Sequence, residues 1–106
     1  MVDQVLHAIA EPHRRAILVM LQAQELPAQE IAGQFPDVTR QAISQHLALL
    51  AEVGLLTMRR DGTRRLYRTR PEGLAEARRF LDGFWDEQLA ALKRTVESDT
   101  QRERPA

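Results

Sequence analysis

Apolar residues recur every three to four positions from the start of the chain to about residue 53, switch to an alternating pattern, and return to helical spacing after residue 71. In the first block Val5, Leu6 and Ile9 predict a short helix over Val2–Ala10. Glu11-Pro12 ends it, because the residue before a proline is pushed out of helical angles. Pro12 then opens a second helix to Ala23, with Ala16, Ile17, Met20 and Leu21 inward. Leu26-Pro27 restarts the chain, and Ile31, Ala32 and Phe35 mark a short third helix. After the Pro36-Asp37 turn, Thr39, with Asp37 as competitor, caps a fourth helix that runs to Val53 with Ile43, Leu47, Leu50 and Val53 on one side. Gly54 stands where a left-handed terminating residue belongs.

The two alternating runs, "LLTMRR" and "TRRLYRT", flank Asp61-Gly62 and predict a β-hairpin, with Leu56, Met58, Leu66 and Tyr67 as candidates for its packed side. From Pro71, Leu74, Ala77, Leu81, Phe84, Trp85, Leu89, Leu92 and Val96 predict a long last helix. The fold class is mainly α with a β-hairpin wing: helix, helix, helix, helix, strand, strand, helix, a winged helix-turn-helix. One domain is expected over residues 1–97, and the polar "SDTQRERPA" over 98–106 reads as a disordered tail.

On this scaffold the fourth helix carries an outward polar row, Arg40, Gln41, Ser44 and Gln45, on its first turns. A B-form major groove admits a helix; arginine reads guanine there and glutamine reads adenine. Base contacts are therefore expected from Thr39, Arg40, Gln41, Ser44 and Gln45, with Thr39 competing with Arg40 for the first position. Formal net charge is zero, which counts against a nucleic-acid partner until the distribution is considered. Arg59, Arg60, Arg64, Arg65 and Arg68 crowd the hairpin, and that basic edge suits phosphates or a minor groove. His46 is a structural histidine at the rim of the core or a further phosphate contact.

The chain has 106 residues, enough for one domain, and at this size a partner subunit would help it bury apolar surface. The last helix has more apolar circumference than one packing contact needs, so an interface is expected from Val5, Leu6, Ile9, Leu81, Phe84, Trp85, Leu89 and Leu92. Cysteine is absent, which removes disulfides, thiolate ligands and a cysteine nucleophile. No glycine-rich phosphate loop is present, and Ser44 and His46, two apart on a helix, point to different sides; an enzyme is not expected. Asp3, His7 and Glu11, spaced by four, could share a face and hold a divalent ion, but such spacing is common on solvated helices, and neither metal nor cofactor is expected. No leader-like or membrane-spanning run stands out, so a cytoplasmic protein with no membrane partner is expected.

The strings "EPHRRAILVML", "AISQHLALLAEVGLL", "RRDGTRRLYR" and "PEGLAEARRFLDGFWDEQL" together resemble the ArsR family of bacterial winged-helix repressors over Leu6 to Leu92. The resemblance implies a homodimer built from the first and last helices, with paired recognition helices on a two-fold symmetric double-stranded operator and repression of transcription. It places the base-facing positions at Arg40, Gln41, Ser44 and Gln45. Metal-sensing members carry cysteines before the turn, or histidines and carboxylates in the last helix; here there is no cysteine, and Leu74 to Val96 lacks histidine. The turn "FPDVTR" is also one residue longer than the common spacing. The rival from another class is a winged-helix protein-interaction module that uses the Trp85 region for a partner and the arginines for solubility.

Overall fold

The computed structural model describes residues 1–103, with side chains described through Glu97. Helix α1 spans Val2–Ile9 and α2 Pro12–Ala23. Strand β1 covers Leu26–Pro27, α3 Ala28–Gly33 and α4 Arg40–Glu52. Strands β2 (Leu56–Asp61) and β3 (Arg64–Thr69) follow, then a single 3-10 turn at Pro71–Leu74 and α5 over Ala75–Glu103. The expected tail over 98–106 lies outside the residues whose side chains are described, and 104–106 lie outside the described residues altogether; α5 runs as helical backbone to Glu103.

The core forms where α2, α3 and α4 meet the base of the sheet: Ile17, Leu21, Ile31, Ile43, Leu47, Leu50 and Leu55 are fully buried. On α2 the inward stripe is rotated from the expected one. Leu18 is buried and Ala16 exposed, because the larger side chain removes more apolar surface from water when α2 turns toward the sheet. Thr69 is the buried polar residue of the core, and its hydroxyl donates to the Leu18 carbonyl at 2.7 Å. Among the described residues no buried side-chain polar atom lacks a partner.

The ends of α4 follow from local chemistry. The Thr39 hydroxyl oxygen accepts from the Ala42 amide at 3.0 Å, which settles the cap in favour of Thr39 over Asp37. At the other end Gly54 has φ +83°, the Gly54 amide donates to Ala51 and the Leu55 amide to Leu50 at 2.9 Å. That pair of bonds is a Schellman termination, and it redirects the chain into β2.

The expected two-stranded ribbon is a three-stranded antiparallel sheet in the order β1-β3-β2. Leu26 and Pro27 pair with Tyr67 and Leu66, which fastens the hairpin to the helices. Asp61 pairs with Arg64, so the hairpin loop is Gly62-Thr63 rather than Asp61-Gly62; Gly62 supplies the positive φ of 65° at the first loop position. Leu56, Leu66 and Tyr67 pack inward or are half-buried, but Met58 is exposed: β2 is the outer edge strand, and beyond Leu56 its residues have left the core.

Helix α5 leaves the globule. Its first turns lie against α1, with Ala77 buried, yet Phe80, Leu81, Phe84, Trp85, Leu89, Leu92 and Val96 are all exposed in the single chain. The radius of gyration is 20.4 Å, against about 13 Å for a compact chain of this length. Among the described residues no helix is long and apolar enough to cross a membrane.

Candidate nucleic-acid interface

Side chains of Ile43, Leu47 and Leu50 anchor α4 in the core, and this fixes which way the opposite side faces. Arg40, Gln41, Ser44 and Gln45 are all exposed on it. The helix therefore presents three donor-bearing side chains and a hydroxyl on its first two turns, with no acid among them. Thr39 is also exposed, and its hydroxyl oxygen accepts one bond as the cap, leaving the O–H and one lone pair free to face outward.

The wing reaches the same side. Arg40 lines a groove of about 370 Å³ together with Thr63, Arg64 and Arg65 from the hairpin tip and Pro27, Ala28 and Gln29 at the start of α3. Arg60 and Arg65 stand directly opposite each other on the ladder, a like-charged pair that repels unless an anion lies between them. Arg64 faces Asp61 across the end of the hairpin, and Arg68 is exposed opposite Thr57.

Arg59 differs from its neighbours in having a carboxylate partner within the subunit. Its Nε lies 2.9 Å from both carboxylate oxygens of Glu25, and its second guanidinium nitrogen 2.7 Å from one of them. That fork-on-carboxylate contact joins the middle of β2 to the loop after α2 and braces the wing. The contact holds the Glu25 carboxyl below its usual range and raises the guanidinium further.

His46 is likewise turned inward. It is half-buried beside α2, with Nδ1 3.3 Å from a guanidinium nitrogen of Arg14 and Nε2 3.9 Å from Glu11, contacts that lie within the subunit. Burial pushes its pKa down, and Arg14 and His13 add to this while Glu11 opposes it. Its neighbours form a network that the sequence did not announce. The Glu11 carboxylate caps α2 by accepting from the Arg14 amide at 2.8 Å and also meets His13 Nδ1 at 2.9 Å. His13 Nε2 meets Asp37, in the turn before α4, at 3.1 Å. The two carboxylate contacts raise the His13 pKa. Burial alone would raise that of Glu11, but hydrogen bonds from His13 and from backbone amides outweigh it and bring it to about 2.

Arg14 and Arg15 donate to the last carbonyls of α1, at Ala8, His7 and Ile9, and so occupy the orphan acceptors of that helix end. Asp3, His7 and Glu11 do not converge. Glu11 is committed to α2, whereas Asp3 and His7 line a shallow pocket of about 340 Å³ with Leu49, Glu52 and Val53. Of the expected interface residues, Leu81, Phe84, Trp85, Leu89 and Leu92 are exposed on α5, and Leu6 and Ile9 are half-buried on α1. Val5 is excluded: at 4% exposure it is spent in the subunit's own core.

A family model described as a helix-turn-helix domain matches residues 9–59. The chain is 39% identical over 97 residues to the HTH-type transcriptional regulator Rv2034 of Mycobacterium tuberculosis, covering 92% of this chain and 90% of that protein. A solved structure described as a possible transcriptional regulator for arsenical resistance is 44% identical, with a TM-score of 0.69 over 84% of this chain and 95% of that one. The homodimeric winged helix-turn-helix DNA-binding domain of Mb0332 from Mycobacterium bovis, a possible ArsR-family regulator, is 32% identical with a TM-score of 0.63, over 83% and 81% of the two chains. The chain belongs to the ArsR family of winged helix-turn-helix transcriptional regulators. Within the ArsR frame, α3 and α4 are the helix-turn-helix, β2 and β3 the wing, and α1 with α5 the elements left with unsatisfied apolar surface.

Proposed function

We propose that this ArsR-family chain is a homodimeric, sequence-specific repressor that reads a two-fold symmetric operator. The observation that carries the reading is the shared groove: Arg40, at the first turn of α4, and Arg64 and Arg65, at the wing tip, line one concave face. Arg40, Gln41, Ser44 and Gln45 address base edges in the major groove, and Thr39 fixes their register as the cap. Arg60, Arg64, Arg65 and Arg68 hold phosphates or the adjoining minor groove. A phosphate between Arg60 and Arg65 would relieve their mutual repulsion.

Dimerisation is supported by the apolar stripe of α5, too large to be left in water, and by the homodimeric relative from M. bovis. Two copies related by a two-fold axis would place their recognition helices about one helical turn apart, near 34 to 36 Å. Selection from a random pool of duplexes at moderate salt tests all of this together. The expected result is an inverted repeat with half-sites one turn apart; enrichment of no motif, or of one without symmetry, would overturn the reading.

A further inference from the structure

Glu11, His13 and His46 converge between the first turn of α2 and the middle of α4, with one donor atom from each within 4.8 Å of the others. We propose that these three side chains form a site for a divalent transition-metal ion of the zinc class. Two imidazoles and one carboxylate are a donor set that suits zinc, cobalt or nickel, and not magnesium or calcium, which want an all-oxygen shell. Ligand atoms around a tetrahedral zinc ion lie roughly 3.3 Å apart, given bonds of about 2.0–2.1 Å. Here Glu11 Oε1 lies 2.9 Å from His13 Nδ1 and Glu11 Oε2 3.9 Å from His46 Nε2, and the two imidazoles stand nearly parallel at 11°, so side-chain rotation of the rings, not movement of the backbone, brings the three donors onto one ion.

The surroundings are arranged as a ligand histidine requires. With Nδ1 of His13 turned to the ion, its Nε2 meets the Asp37 carboxylate at 3.1 Å, and a carboxylate on the far nitrogen fixes ring orientation and raises ligand basicity. All three side chains are partly exposed, so an ion can enter and a water can complete the shell. Two contacts change on binding: the ion replaces the hydrogen bond between His13 Nδ1 and Glu11, and the contact of His46 with Arg14 is lost. Nδ1 of His46 now faces Arg14 as an acceptor; ligation through Nε2 moves the ring proton to Nδ1, and that end of the guanidinium must turn away. Arg14 keeps its bonds to the carbonyls of Ala8 and His7. The set shares only Glu11 with the one suggested by the spacing of Asp3, His7 and Glu11, and it contains no residue of α5. Because His46 follows Gln45 on α4 and Asp37 precedes the Thr39 cap, an ion would tie α2 to both ends of the segment that carries the polar row.

The chain has three histidines and no cysteine, so the test is clean. Zinc is titrated into the full chain while the ring proton resonances of the histidines are followed by NMR. The expected result is saturable binding of one ion per chain, with His13 and His46 shifting and His7 unchanged. Calorimetry should show affinity lowered at least about tenfold by His13→Asn and by about tenfold in Asp37→Asn, with His7→Asn equal to wild type. No saturable binding, a shift at His7 without His13, or full affinity in His13→Asn would overturn the proposal. The resonance readout needs no variant to fold, and it is independent of DNA binding.

Discussion

Trp85→Ala tests the dimer reading most directly, because the side chain does little in the single chain and much at the proposed interface. Trp85 is 64% exposed, on the stripe with Leu81, Leu89 and Leu92. Burying a large side chain fully is worth about 3 kcal/mol at the upper end, so covering the exposed two thirds contributes about 2 kcal/mol. Two-fold symmetry counts it twice, about 4 kcal/mol per dimer, and at about 1.4 kcal/mol per tenfold the dimer dissociation constant should rise roughly a thousandfold. Sedimentation equilibrium measures that constant, and far-UV circular dichroism should show the helical content of each subunit retained. Operator affinity should fall in parallel, since one recognition helix loses its tethered partner. A variant that folds and dimerises within tenfold of wild type would refute the argument that the exposed stripe of α5 is the subunit interface.

Arg40→Ala should cost about 1–3 kcal/mol at one base pair of the operator and relax preference there, whereas Arg64→Ala should weaken all duplexes alike and reduce the salt slope by about one; gel shifts across a salt series separate the two. Gly73→Ala should destabilise the fold by about 1–3 kcal/mol in urea titrations, because the added methyl would press into the Gly54 carbonyl, with Leu55 Cδ2 only 3.1 Å away and no room to shift a backbone oxygen. Thr39→Ala should cost about 1 kcal/mol through loss of the α4 cap, and Thr39→Ser should recover most of it. Glu11 has a folded-state pKa lowered from 4.5 to about 2, so the stability it contributes is complete above 4.5 and is lost as pH falls toward 2; urea midpoints measured across that window should drop in wild type and flatten in Glu11→Gln.

Much of the molecule was legible because its signals are local. The 3.6 period of Ile43, Leu47 and Leu50, the Thr39 cap and the left-handed Gly54 each depend on a few neighbouring residues, and all three stand in the structure as the sequence predicts. The exposed faces of α4 and α5 follow from the same periodicity. What could not be read is long-range. Strand β1 has two residues, too few to show any period, and exists only because β3 lies beside it. Arg59 bonds Glu25, 34 residues earlier, a partner that no local pattern names. Nothing in "EPHRR" announces that His13 will reach Asp37, 24 residues on, or that Glu11 turns away from Asp3 and His7.

The division has a physical cause. Backbone preference, helix caps and the apolar stripe are set by residues within about one turn of each other, so the amino-acid order alone dictated the helices, the hairpin and the polar row. Which charges remain free and which are consumed depends on elements meeting at angles that no single segment specifies. Tertiary packing therefore decided that Arg40, Arg64 and Arg65 share one open groove, that Arg59 braces the wing, that Val5 is spent inside the subunit, and that two histidines and a glutamate face one another behind the recognition helix.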